Sequence, residues 1–447
     1  MEYNILRPLE EPNSLSGINQ PQPTLGELPR SIGISILALL TLPTVLAIIF
    51  VGFGVVYAGG LRPVIFELSW LTFAFVLIGT SIASKAPVIG EAKILPRAYL
   101  AVFTVFAIIS VYTTVAVAPS VKMSSYAIGT SVTAILAGLA AAAQKRRFGD
   151  KIIVSISWAL FVAMLLHAPF WIWLFVIEGN NPEFDWLNRT PGYPSIRTYG
   201  YSVEASIAAG LGLYYLSDRS NKVLLFSLAL GTTFLWMLLF WSGGRGAFLA
   251  LLASSTLVAF IAPKFISRIW KFFVATIAVG AGLSLLLPVP NSAYGLLRRA
   301  DLDAIVNSGS MNELSSNRMS LWSDAYSIFL DKPLFGHGML QYSHITTDST
   351  LTEHIQVHNI LLEALISFGL VGTAAVIFLL GKIWVLAAIR LRRPDTQSTL
   401  PVFLIATTLL VHGLVSGTYY HIHSALIIAI SLGLLLHDHG EQAKSLD

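Results

Sequence analysis

Apolar runs long enough to cross a bilayer recur along the whole chain, and this repetition constrains the fold more than any single motif. About 30 Å of hydrocarbon needs roughly 20 helical residues. Runs of that kind lie at 32–58, 64–83, 96–118, 125–143, 152–177, 199–217, 222–241, 246–262, 270–288, 358–381, 400–417 and 420–437. In lipid every backbone amide must be satisfied within its own segment, so such runs are expected to be helices. The expected architecture is all-α, a polytopic membrane protein with about 12 transmembrane helices. A flexible cytoplasmic tail is expected over 1–31, spans over 32–288, a large periplasmic loop with short helices over 289–357, further spans over 358–437 and a second cytoplasmic tail over 438–447.

Composition agrees with a lipid-facing surface. Only 12% of the 447 residues are charged and 55% are hydrophobic, against roughly a quarter charged in soluble domains. The net charge of +4 does not point to nucleic acid, because the basic residues sit between apolar runs and form no patch with interleaved aromatics. There is no cysteine, which excludes disulfides, thiol catalysis and Cys-ligated metal. The first thirty residues place Pro8, Pro12, Pro21, Pro23 and Pro29 among polar groups. They carry no short apolar core followed by a small-residue cleavage site, so this segment reads as a tail and not as a signal peptide.

Orientation follows from counting Lys and Arg by side. With the N-terminus inside, 19 of the 28 fall on cytoplasmic loops, tails and flanks and 9 on the other side, with clusters at 144–151 and 382–393 both inside. The positive-inside rule favours this arrangement, and both larger breaks then face outward.

The arginines that defy the bias mark a candidate site. Arg245 lies in the turn Ser242-Gly243-Gly244-Arg245-Gly246, and Arg318 follows the capping types Ser315-Ser316-Asn317. After Arg318, Trp322, Ala325 and Phe329 recur at helical spacing until Pro333. His358 and Asn359 begin the tenth run, and Arg197 stands just before the sixth. Each of these sits at or near a helix N-terminus, where free N–H groups and the macrodipole favour an anion. Even-numbered helices start on the outer side in this topology, so residues far apart in sequence meet one face. Guanidiniums gathered there suit a diphosphate, and a histidine at a helix start is biased toward the neutral form a general base needs.

Taken singly, each feature has a plainer reading. An arginine near a helix end commonly snorkels to the interface, and a lone interfacial histidine is more often structural than catalytic; the coincidence of side favours a site. Glu204, early in the sixth helix, is expected to support Arg197 through a salt bridge. His412, His421 and His423 gather near the last turn, where His421 is expected along an acceptor path. His421 and His423 point apart if helical, which argues against a metal site. His337, between two glycines, is expected to be a turn residue.

The stretch Arg318-x-x-x-Trp322-x-x-Ala325-x-x-x-Phe329-x-x-x-Pro333-x-x-Gly336-x-Gly338, followed by His358-Asn359-x-x-Leu362-Glu363 and Gly369-x-x-Gly372, resembles the signature region of the bacterial O-antigen ligase and polymerase superfamily. Ser242 to Ala247 is similar to that family's serine-arginine-glycine turn, with a second glycine in place of the serine that many relatives carry directly before the arginine. The resemblance implies an inverting, metal-independent glycosyltransferase of the inner membrane, needing no cofactor and working at the periplasmic face. Its donor would be a glycan on undecaprenyl diphosphate and its acceptor lipid A-core or a growing glycan, with no nucleic acid involved. It also implies that Arg245 and Arg318 bind the diphosphate and that His358 deprotonates the acceptor hydroxyl; Arg197, Asn359, Glu204, Trp322 and His421 are expected from their own placement to contribute to substrate binding. A ligase is favoured over a polymerase, and both over a protein O-oligosaccharyltransferase. A twelve-helix transporter or flippase is disfavoured, because no internal repeat is visible and the polar chemistry gathers at one face.

Overall fold

The computed structural model describes residues 30–52, 61–84, 97–179, 181, 183–287, 318–352 and 356–436. Residues 1–29 of the expected first tail, the whole of the second, and much of the expected large loop including the capping triplet Ser315-Ser316-Asn317 lie outside the described residues, while residues 30 and 31 already belong to the first helix. What is described is helical, without a strand. In chain order the helices are α1 Arg30–Gly52, α2 Leu61–Ala83, α3 Arg97–Tyr112, α4 Val121–Phe148, α5 Lys151–Leu166, α6 Ala168–Glu178, α7 Ile196–Leu216, α8 Lys222–Ser242, α9 Arg245–Ile261, α10 Pro263–Ser284, α11 Arg318–Asp331, α12 Tyr342–Ile345, α13 Ile360–Arg390, α14 Leu400–Gly413 and α15 Ile422–Leu435.

Among the described residues, seven stretches are long and apolar enough to cross a membrane. They are Gly33–Val51, Leu61–Ala83, Val121–Phe148, Lys151–Glu178, Lys222–Ser242, Pro263–Ser284 and Ile360–Arg390. Ala101–Val117, Arg245–Ile261 and Ile422–Leu435 are apolar but shorter. A helix stands in each of the twelve apolar runs, with corrected ends. The fifth run breaks at His167 into α5 and α6, where the ring lies 2.9 Å from the Pro191 carbonyl and Pro169 opens the second helix. The tenth begins at Ile360, with Asn359 as its cap, and runs on to Arg390.

The bundle is built around α7. Of its 21 residues 18 are buried, with α5, α8 and α14 packed along it. Such enclosure explains how Tyr201, Ser202, Glu204 and Ser206 persist in a helix of this length: they face protein and not lipid. The tightest seam joins α4 to α15, where Gly138 and Gly433 meet backbone to backbone beside Ala429. Small residues of this kind let helix backbones approach closely in a membrane, where apolar bulk alone gives no preference for protein over lipid.

A second, smaller core lies between α11 and α13. Leu321, Ala325, Ile328 and Phe329 pack with Tyr342, Leu351, Val357 and Ile366. The helical spacing after Arg318 is thus the buried stripe of α11.

Candidate active site

Three helix starts deliver three arginines to one place. Arg197 occupies the first turn of α7, after Ser195, whose hydroxyl accepts the Thr198 N–H at 3.2 Å. Arg245 is the first residue of α9. The chain reaches it from α8 through Gly243, whose φ of 83° is left-handed and closes the preceding helix. Aromatic rings hold both starts in place: Trp241, at the end of α8, lies 5.3 Å from Trp171 and 5.5 Å from Trp186, while Trp171 lies 4.9 Å from Tyr199. Arg318 opens α11.

These cations act on one another. Burial pushes the Arg318 guanidinium below its ordinary value, and Arg197 and Arg245 push it the same way while the Tyr201 hydroxyl opposes them. No carboxylate contributes to that balance. Arginine stays protonated under such shifts, so mutual repulsion is left for a bound anion to relieve.

The second half of the site is fixed by a set of backbone exchanges. α13 is kinked at Gly369 (φ 62°), and the turn after α11 crosses that kink. Leu370 N–H donates to the Pro333 carbonyl at 2.7 Å and Val371 N–H to Leu334 at 3.2 Å, while His337 and Gly338 N–H donate to Ile366 and Ser367 at 2.7 and 3.0 Å. The groups that the kink releases are therefore satisfied by the turn, which explains how a broken helix is tolerated here. Gly336 (φ 73°) and Gly369 admit no side chain. A Cβ on Gly336 would lie 2.5 Å from the Ile366 carbonyl oxygen, and one on Gly369 would overlap the Leu334 carbonyl. The motif glycines at 336 and 369 are thus the two faces of one contact. Gln341 ties the same turn to the start of α4: it accepts the Ser120 N–H at 2.7 Å and donates to the Ser120 carbonyl at 3.0 Å.

That contact sets the start of α11 against the segment that carries His358. Trp322, one turn into α11, donates its indole N–H to the Val357 carbonyl at 3.0 Å, pinning the residue before His358. Asn359 caps α13 by accepting from Leu361 and Leu362 N–H at 2.9 and 3.1 Å. His358 itself has φ of 54°, an uncommon conformation for a residue with a side chain. Residues held this way concentrate at functional sites. Glu363, in the first turn of α13, accepts the Val357 N–H at 3.3 Å through Oε2 and lies beside the Tyr419 hydroxyl.

Glu204 is not where the sequence reading put it. Instead of a salt bridge to Arg197, its Oε1 lies 2.7 Å from His412 Nδ1, with both side chains buried. The reason is distance: seven residues of helix separate Arg197 from Glu204 by about 10 Å along the axis. His412 was missed as its partner, though a carboxylate inside an apolar helix is a standing signal for a basic group nearby. His421 precedes α15 and lies 3.8 Å from Glu67 of α2, while His423 turns inward to the Thr198 carbonyl at 3.2 Å. His337 is a turn residue, its Nε2 3.0 Å from the Ile328 carbonyl. Trp322 and Asn359 thus hold structure directly around the site, whereas Glu204 lies beneath it.

Residues 229–377 match a family model described as O-antigen ligase. A protein of Haemophilus influenzae described as uncharacterized is 25% identical over 153 residues, 31% of this chain and 37% of that relative. The chain therefore spans little more than a third of the curated relative it matches. The matched family segment contains Arg245, Arg318, Trp322, His358, Asn359 and both faces of the glycine contact.

Proposed function

Residues 229–377 make this chain a member of the O-antigen ligase superfamily, and on that premise we propose that it is an inverting, metal-independent glycosyltransferase moving a glycan from undecaprenyl diphosphate to lipid A-core at the periplasmic face of the inner membrane. The convergence of Arg197, Arg245 and Arg318 beside the segment that carries His358 is the observation behind this reading. An uncompensated cationic group at helix starts fits a diphosphate leaving group.

In the proposed reaction the acceptor hydroxyl oxygen attacks the anomeric carbon and its proton passes to His358. The bond from that carbon to the diphosphate oxygen breaks on the opposite face, inverting the centre. The diphosphate departs with the electron pair into the arginine group, where preorganised donors of known oxyanion sites supply about 3 kcal/mol each. The twelve-span topology with the N-terminus inside belongs to the same proposal.

Deletion of the gene, with the cell's lipopolysaccharide run on a gel, separates ligation from polymerisation. A ligase leaves bare core while carrier-linked polymer accumulates. Core bearing one repeat unit would instead assign the chain as a polymerase, and unchanged lipopolysaccharide would overturn both.

A further inference from the structure

Tyr201 joins the arginine group to a second polar group of opposite charge. Its hydroxyl is within electrostatic reach of Arg318, and its ring lies 5.9 Å from that of His421. Beyond His421 stands Glu67, in the second turn of α2.

The Glu67 carboxylate is poorly used. Its Oε1 is 3.8 Å from His421 Nδ1, and its Oε2 accepts from the Tyr126 hydroxyl at 3.4 Å. A carboxylate offers about four acceptor positions, and contacts this long leave most of that capacity unspent. The Glu67 side chain is 19% exposed and Tyr126 is 45% exposed, so the group is open and not sealed in the core. A carboxylate is retained on an apolar span where it meets a cavity or a ligand.

Rings surround it. Tyr420 stacks edge-on against His421 at 5.1 Å, and its hydroxyl is within electrostatic reach of both Glu67 and Glu363. Glu363, buried beside the backbone that carries His358, faces the Tyr419 hydroxyl on the inner side of this group. A carboxylate with acceptor capacity to spare next to partly open tyrosines suits a polyhydroxylated ring, whose hydroxyls donate while its C–H faces pack on the aromatics. The same negative charge disfavours a phosphate.

We propose that Glu67, Tyr126, Tyr420 and His421 form a saccharide subsite that holds the acceptor sugar by its hydroxyls, across Tyr201 from the arginines. The assignment of this sugar as the acceptor rests on the transferase reading above; binding of a saccharide at Glu67 does not.

The test measures two affinities separately on the full chain in lipid nanodiscs, by tryptophan fluorescence. The probes are dephosphorylated core oligosaccharide freed from lipid A, and undecaprenyl diphosphate. Glu67→Gln and Tyr126→Phe should each weaken oligosaccharide binding about tenfold and leave undecaprenyl diphosphate within twofold of wild type; Arg318→Lys should do the reverse. Oligosaccharide binding that is absent from the wild type, or unchanged in both variants, overturns the subsite. So does loss of both ligands together in Tyr126→Phe, which removes one hydroxyl from an exposed ring. Wild-type protein that binds the oligosaccharide through Glu67 but ignores undecaprenyl diphosphate supports the subsite and refutes the donor reading.

Discussion

His412 Nδ1 lies 2.7 Å from Glu204 Oε1 across the interface of α14 and α7, and the far edge of the same imidazole closes on Gly246, where a Cβ would stand 2.6 Å from Nε2. The pair thus spans from the helix that carries Arg197 in its first turn to the turn that carries Arg245. Removing one partner of a buried pair strands the other at a cost of about 3–5 kcal/mol, whereas apolar replacement of both is often near neutral. Glu204→Leu and His412→Leu should each lower the unfolding temperature in detergent sharply. The double variant should lose less than either, and a loss equal to the sum of the singles would show that they do not act as a pair.

Arg245→Lys and Arg318→Lys keep the charge but replace a planar fork with a point ammonium. In protein shown to be folded and inserted, each should reduce transfer about tenfold or more and weaken undecaprenyl diphosphate binding. Alanine should be at least as damaging. Near-normal transfer by both lysine variants would reduce these arginines to lipid anchors.

His358 should separate from the arginines kinetically. Its replacement by alanine should cost roughly two to four powers of ten in rate while donor affinity stays nearly intact. A base must be neutral to take a proton, so wild-type rate should fall as the solution is acidified. Glu363→Gln should weaken transfer without abolishing it. The decisive assay uses purified enzyme with chelator present: full activity of His358→Ala removes the histidine from the mechanism, and a strict metal requirement removes the mechanism.

Gly336→Ala and Gly369→Ala combine left-handed backbone with overlap against a carbonyl group. The backbone term alone is about 1 kcal/mol, and the overlap adds to it. Both should lower the unfolding temperature and cut transfer further than stability loss explains, because that contact joins the helix that opens with Arg318 to the helix that His358 precedes. Gly381→Ala is the control. It lies within α13 with open space around its Cβ position, and should be neutral or stabilising. Equal behaviour of all three would remove the contact from the positioning of the site.

The parts legible in the sequence were those with a local signal. Apolar runs located the helices, and the spacing of Arg318, Trp322, Ala325 and Phe329 gave α11. Arg197, Arg245 and Arg318 announced themselves by lying at helix starts against the charge bias. What was not legible depends on long-range packing. Glu204 and His412 are 208 residues apart, and nothing local says which face of α14 meets α7. The pairing of Gly336 with Gly369 could be read only as two unexplained glycine motifs, since the kink that joins them forms from both at once. Gln341 gave no signal, for a lone glutamine in a loop has no pattern to belong to. The break at His167 was hidden because apolar residues continue across it.

The enclosure of α7 bears on how such a chain is made. The ribosome delivers α7 well before α14, and α7 is not among the helices apolar enough to hold a bilayer by themselves. An acidic side chain at a helix centre disfavours release from the translocon by about 2.5–3.5 kcal/mol. Glu204 therefore waits through the synthesis of some two hundred residues for the histidine that completes it. During that interval α7 depends on its earlier neighbours, above all α5, for shelter from lipid. A nascent chain stalled before residue 400 would carry an orphaned carboxylate within a polar helix, so completion of α7 is tied to the arrival of α14, the helix that brings His412.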